Sequence, residues 1–156
     1  MLSRRSLIRT GGITAGVGAL AMVSAPAAEA GPIADGLLIR SFCAAWVHLD
    51  PDLLAAYFSD DAVYQNIPIP NVFVGKTAIR DELAIQINSI EYTTLDIVHQ
   101  VSLGGRVMNE RIDTFRFVGG DHDVHLPIMG SFTVDNNKIT SWYDYFDLAQ
   151  SGYGGP

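Results

Sequence analysis

The hydrophobic period of this chain changes once, near Leu95, and that change constrains the fold more than any other feature. Before it, apolar residues recur at helical spacing: Leu37, Leu38, Phe42 and Trp46 within 34–46, then Ile79, Leu83, Ile87 and Ile90 on one face after Gly75-Lys76-Thr77. Between these stretches, Asp50-Pro51 predicts a capped second helix through Leu53, Leu54 and Phe58, and 62–66 reads as a strand ending at the Pro68 and Pro70 loop. After Leu95 the period becomes two. Leu95, Ile97, His99, Val101 and Leu103 alternate with their neighbours, and the turn sequences Gly104-Gly105, Gly119-Gly120-Asp121 and Asp135-Asn136-Asn137 separate further strands at 106–118, 124–134 and 138–146. Three helices followed by a four-strand antiparallel meander predict an α+β domain whose curved sheet folds around a helix-covered cavity.

Composition narrows what such a domain can do. A length of 156 residues with 48% apolar content suits one domain with a packed core. A net charge of −7 argues against a general binder of nucleic acid or anionic membrane, both of which require a basic face. The first thirty residues read as a targeting segment: Ser3-Arg4-Arg5-Ser6-Leu7-Ile8-Arg9 is close to a twin-arginine pattern, an uncharged run covers 10–28, and Ala28-Glu29-Ala30 is a small-residue cleavage site. Cleavage after Ala30 is expected, leaving one domain at 31–156, and membrane contact is expected only during export to a periplasmic or extracellular location. A Gly- and Ala-rich run ending in Pro26 is a poor permanent anchor. Lone Cys43 cannot close an internal disulfide and is expected to pack beside Phe42 and Trp46.

Only 17% of residues are charged, so charges inside apolar strands stand out. Along 106–118, Asn109, Arg111, Asp113, Phe115 and Phe117 project from one face. Taken alone, Arg111 and Asp113 make an ordinary surface ion pair. The last strand changes that picture, because Asp144 shares a face with Trp142 and Phe146, two large aromatic groups normally buried. A buried carboxylate needs a cation, and Arg111 already lies on an apolar face, so a bridge of Asp113, Arg111 and Asp144 is the economical pairing. Tyr64 and Asn66, two apart on a third strand, add neutral donors and acceptors suited to holding a water. Phe115, Leu126, Ile128, Phe132, Trp142 and Phe146 are the expected apolar wall of a substrate pocket.

These residues resemble the limonene-1,2-epoxide hydrolase family: paired N-terminal helices, Tyr64-x-Asn66 in YQNIP, Glu110-Arg111-x-Asp113 in ERIDTF, the LPIMGSF strand and, most specifically, KITSWYDYFDL. The resemblance implies helices packed on a highly curved, mixed but mainly antiparallel sheet, a cone-shaped barrel shared with polyketide cyclases, ketosteroid isomerases and scytalone dehydratase. It further implies a homodimer that needs no metal or cofactor and adds water in one step to a small apolar epoxide, cyclic or terpene-like, giving a vicinal diol. By motif, Asp144 is the general base acting on a water that Tyr64 and Asn66 also hold. Asp113 is the acid that protonates the epoxide oxygen, and Arg111 joins the two carboxylates.

Other readings compete. Asp121, His122, Asp123 and His125 have metal-ligand types but lie at a hairpin turn, where solvation is the default. His99 alternates in register with apolar residues, so it is placed toward the cavity, where a cyclase, isomerase or dehydratase of the same barrel would use it as a base. A non-catalytic module with an apolar pocket is the third possibility. His48 is placed at the end of the first helix, where a cation is favoured.

Overall fold

The computed structural model of the protein describes residues 31–152. The expected export segment at 1–30 lies outside the described residues, as do 153–156. Helix α1 (Pro32–Ala45) starts with proline in its first turn, where the missing N–H costs nothing, and runs into a 3-10 turn at Trp46–His48. Helix α2 (Pro51–Ala55) is capped by Asp50, whose carboxylate accepts from the N–H groups of Asp52 at 2.9 Å and Leu53 at 3.1 Å. It stops short of Phe58. That residue opens strand β1 (Phe58–Asn66), where pairing with Ile139 buries it completely, so tertiary pairing overrides the local helical spacing.

Strand β2 (Val72–Val74) is too short to display a period and was not expected. Helix α3 (Lys76–Asn88) buries Ile79, Leu83 and Ile87 as predicted, but Ile90 leaves that face to begin β3 (Ile90–Leu103) opposite Phe117. Strands β4 (Arg106–Phe117), β5 (Val124–Asp135) and β6 (Lys138–Tyr145) complete the predicted antiparallel meander. The sheet then extends past β6, which takes β1 as a parallel neighbour, and β2 pairs antiparallel with β1. The resulting order is β2-β1-β6-β5-β4-β3, a mixed and unclosed sheet. Helix α1 packs against β3 and β4, and α3 packs against β1, covering the inner side from both ends.

A bulge between Ile97 and His99 shifts the β3 register by one residue. Alternation therefore reverses at that point, and His99 is exposed together with Val101 and Leu103. The placement of His99 toward the cavity is thus corrected. Phe42 of α1 sits at the centre of the core, meeting Trp46, Phe58, Phe132 and Trp142 edge-on with ring centroids 5.1 to 6.3 Å apart. Burying side chains of this size contributes roughly 1.5–3 kcal/mol each. That apolar gain offsets the cost of the charged cluster beneath it.

Candidate active site

Strand β4 buries alternate residues, and the buried set is Val107, Asn109, Arg111 and Asp113. Arg111 therefore enters the protein core with its side chain 1% exposed. Its Nε donates to Asp113 Oδ1 at 2.8 Å and its Nη2 to Asp113 Oδ2 at 3.2 Å. Its Nη1 donates to Asp144 Oδ1 at 3.1 Å, and Nη2 donates to Asp144 Oδ2. A last bond runs from Nη1 to Asn109 Oδ1 at 3.3 Å. A guanidinium has five N–H groups, so every one is used and the plane of the fork is fixed.

Arg111 reaches Asp144 across an intervening strand. In the register, Gly130 of β5 lies between Asn109 on β4 and Asp144 on β6. A Cβ on Gly130 would collide with Arg111 Nη1 and Asn109 Oδ1 and stand 2.8 Å from Phe132 Cε2. The guanidinium thus occupies the space that a side chain at 130 would fill. A sequence signal existed: the inner face of β5 runs Leu126, Ile128, Gly130, Phe132, and glycine interrupts large residues where another group must approach.

Parallel pairing of β1 with β6 brings in the remaining groups by setting Tyr64 opposite Trp142 and Asn66 opposite Asp144. Tyr64 stacks on Trp142 at 4.2 Å and is buried. Burial drives its phenol well above the ordinary range, the Asp144 charge adds to that, and hydrogen bonds from Gln86 and Asn66 oppose it. Trp142 also donates its indole N–H to Asp144 Oδ1 at 2.7 Å, a contact the sequence reading did not include. Asp144 thus accepts three hydrogen bonds on roughly four lone-pair positions, leaving about one for a water.

Asp113 has a different environment. Burial pushes its pKa up from 3.8 to about 6, Arg111 pulls it down through charge and hydrogen bonding, and the Asp144 charge raises it again. Arg111 stays protonated, its own pKa raised well above normal by the paired carboxylates against the cost of burial. Cys43, whose thiol lies 4.0 Å from Asn109 Nδ2, is buried and its pKa is pushed up to about 12 by desolvation. It is therefore an inert packing group.

Asp113, Asp144, Tyr64 and Asn66 all line a half-open cavity of about 730 Å³, its mouth included. Arg111 lies beneath the floor rather than on it. Of the expected wall, Phe115, Leu126, Ile128, Trp142 and Phe146 line the cavity. Phe132 does not; it is stacked on Trp142 at 5.9 Å and belongs to the core, since β5 recedes from the cavity beyond Gly130. Trp46, Ile69, Ile90, Leu95 and Phe117 complete the apolar lining, and Gln86, Ser89, Thr93 and Ser151 add polar groups that sequence reasoning missed. At the β4–β5 hairpin, His122 pairs with Asp121, Asp123 with Arg116, and His125 with Thr114, so these ligand-type side chains diverge to separate partners. Among the described residues no group of three His, Cys, Asp or Glu is placed to hold a metal, and no helix is long and apolar enough to cross a membrane.

A helix-covered, curved mixed sheet around a half-open cavity defines the cone-shaped α+β class. Solved structures agree: a hypothetical protein with a ketosteroid isomerase-like fold from Catenulispora acidiphila superposes with a TM-score of 0.68 at 25% identity over 74% of this chain and 92% of its own. A SnoaL-like polyketide cyclase fold from Shewanella putrefaciens gives 0.67 at 19% identity, over 74% and 91%, which speaks to fold alone. Within that class the chain belongs to the limonene-1,2-epoxide hydrolase family, whose catalytic-domain model matches residues 35–151. Epoxide hydrolase EphG of Mycobacterium tuberculosis is 28% identical over 111 residues, 70% of this chain and 71% of that protein. The structure of an M. tuberculosis LEH-like epoxide hydrolase superposes with a TM-score of 0.67 at 26% identity, over 76% of this chain and 86% of its own.

Proposed function

We propose that this protein is an epoxide hydrolase that adds water in one step to a small apolar epoxide, cyclic or terpene-like, and releases the vicinal diol. The observation that carries this reading is the saturated Arg111 bridge, which holds two buried aspartates of unlike surroundings at the floor of an apolar cavity. Family membership and the similarity to EphG support the reaction class.

Asp144, with its open lone pair, takes a proton from a water that Tyr64 and Asn66 help to hold. The water oxygen bonds to an epoxide carbon as the C–O bond breaks, and Asp113 gives its proton to the departing oxygen. A pKa near 6 suits that role, since Asp113 holds a proton more readily than an ordinary carboxylate. Entry of an apolar substrate displaces water from the cavity and raises it further. After release of the diol, Asp144 holds the proton and Asp113 lacks it; return to the starting state moves one proton between them. Both proton transfers come from the chain itself, so the mechanism has no step that calls for a metal or cofactor.

Incubating the purified protein with cyclic and terpene-like epoxides in heavy-oxygen water tests the reading. The label is expected in the diol after a single turnover, whereas label in the protein would reveal a covalent aspartyl ester. A cyclase or isomerase reaction is the alternative that the structural neighbours fit, but its candidate base, His99, faces away from the cavity. We also propose export by the twin-arginine route and a homodimeric working form. The former predicts cytoplasmic retention of an Arg4→Lys, Arg5→Lys variant on cell fractionation. The latter is supported by Met129 and Tyr145, both exposed and directly paired on the sheet, and predicts twice the chain mass in sedimentation.

A further inference from the structure

The cavity wall contributed by α3 contains one side chain that touches the water-holding group directly. Gln86 donates from Nε2 to Tyr64 Oη at 3.1 Å and, from the same nitrogen, to Glu82 Oε1 at 2.9 Å. Glu82 and Gln86 are four residues apart and so stack on one helix face. The carboxylate of Glu82 can only accept, which fixes the amide with its NH2 group toward both oxygens. Tyr64 Oη is therefore an acceptor toward the helix, and its single hydrogen must point elsewhere. Tyr64 lines the cavity, and Gln86 is a cavity residue as well.

We propose that Gln86, oriented by Glu82, is a positioning residue that fixes the direction of the Tyr64 hydroxyl, so that the phenol donates its hydrogen to the water in the cavity. A water that receives a hydrogen from Tyr64 and gives one to Asp144 has its second lone pair and its approach to the epoxide defined. Without the glutamine, the phenol rotates between helix and cavity and the water is held in several poses. The inference rests on the epoxide hydrolase reading for its effect on turnover, though not for the contact itself.

Gln86→Met, close to isosteric and unable to donate, is the test. A loss of kcat of roughly tenfold to a hundredfold is expected with KM nearly unchanged, the pattern of a misplaced reactant rather than a reshaped pocket. In a Tyr64→Phe background the same substitution should cost almost nothing, because the group it acts through is gone. Equal losses in both backgrounds, or a rise in KM alone, would overturn the proposal. Ultraviolet Raman difference spectra against Tyr64→Phe give a readout independent of turnover. The Tyr64 ring doublet should move away from the pattern of an accepting phenol in Gln86→Met, and an unchanged doublet would overturn the proposal even if epoxides are hydrolysed. Should no epoxide react with the unaltered protein, the catalytic reading fails while the Raman result still decides the contact.

Discussion

Of the three arginines on strand β4, Arg111 and Arg116 are each paired with aspartate, and they differ in almost everything else. Arg116 faces outward with its side chain 37% exposed; it bonds Asp123 at 2.7 Å and lies over the Tyr92 ring at 5.5 Å. There Asp123 sits below the ordinary carboxylate range, held by hydrogen bonds from Tyr92 and Arg116. Arg111 faces inward, and its partner Asp113 is displaced in the opposite direction, to about 6, because burial outweighs the attraction of the guanidinium. The same two residue types therefore give a carboxylate held below or above its ordinary range according to which side of one strand they occupy. A buried arrangement of this kind is weak as a stabilising device, since removing each ion from water costs several kcal/mol. Its presence is better explained by chemistry.

The sharpest way to separate the two pairs is to neutralise the inner acids. Asp113→Asn and Asp144→Asn should each lower diol formation by roughly a hundredfold to ten-thousandfold while circular dichroism stays native, and full activity in either would sink the mechanism. Arg111→Met should cost about 3–5 kcal/mol in urea unfolding, because two buried carboxylates lose their cation. Gly130→Ala should behave like a milder form of that variant, since an added methyl meets the guanidinium and Phe132. A melting temperature and kcat both equal to wild type would show that the bridge needs no gap.

The pH dependence is a finer test. The folded-state pKa of Asp113 is raised, so its contribution to stability is complete below about pH 4 and is lost as pH rises through about 6. For the same reason kcat/KM should fall about tenfold per unit above pH 6, and a profile flat from pH 5 to 9 would remove Asp113 as the acid. Arg116→Ala should have the smallest effect of all, leaving kcat within about twofold of wild type. A large loss there would erase the contrast between the two faces.

Much of this contrast was legible in the alternation of β4, because period two assigns faces without knowledge of partners. Arg111 and Asp113 share a strand with Phe115 and Phe117, and Asp144 stands two residues from Trp142, so burial of charge followed from local pattern. What failed was local in a different sense. His99 left the cavity because one bulge reversed the register, Phe58 left its helix because strand pairing buries it, and Ile90 left the face of α3 because it pairs opposite Phe117 at the start of β3. Phe132 kept its predicted face but not its role, since a face that is inward along all of β5 meets the cavity only at one end.

The amino-acid sequence by itself determined the meander, the side of each strand on which the five chemical groups lie, and the family. Each follows from period, turn residues and motif, which are properties of neighbouring residues. Only the tertiary structure decided that β1 lies parallel to β6, bringing Asn66 opposite Asp144, and that Gly130 leaves room for Arg111 to cross to it. It also brought Gln86 to Tyr64. These contacts join residues 19 to 78 positions apart, and their geometry depends on strand order and packing, which no short-range pattern encodes.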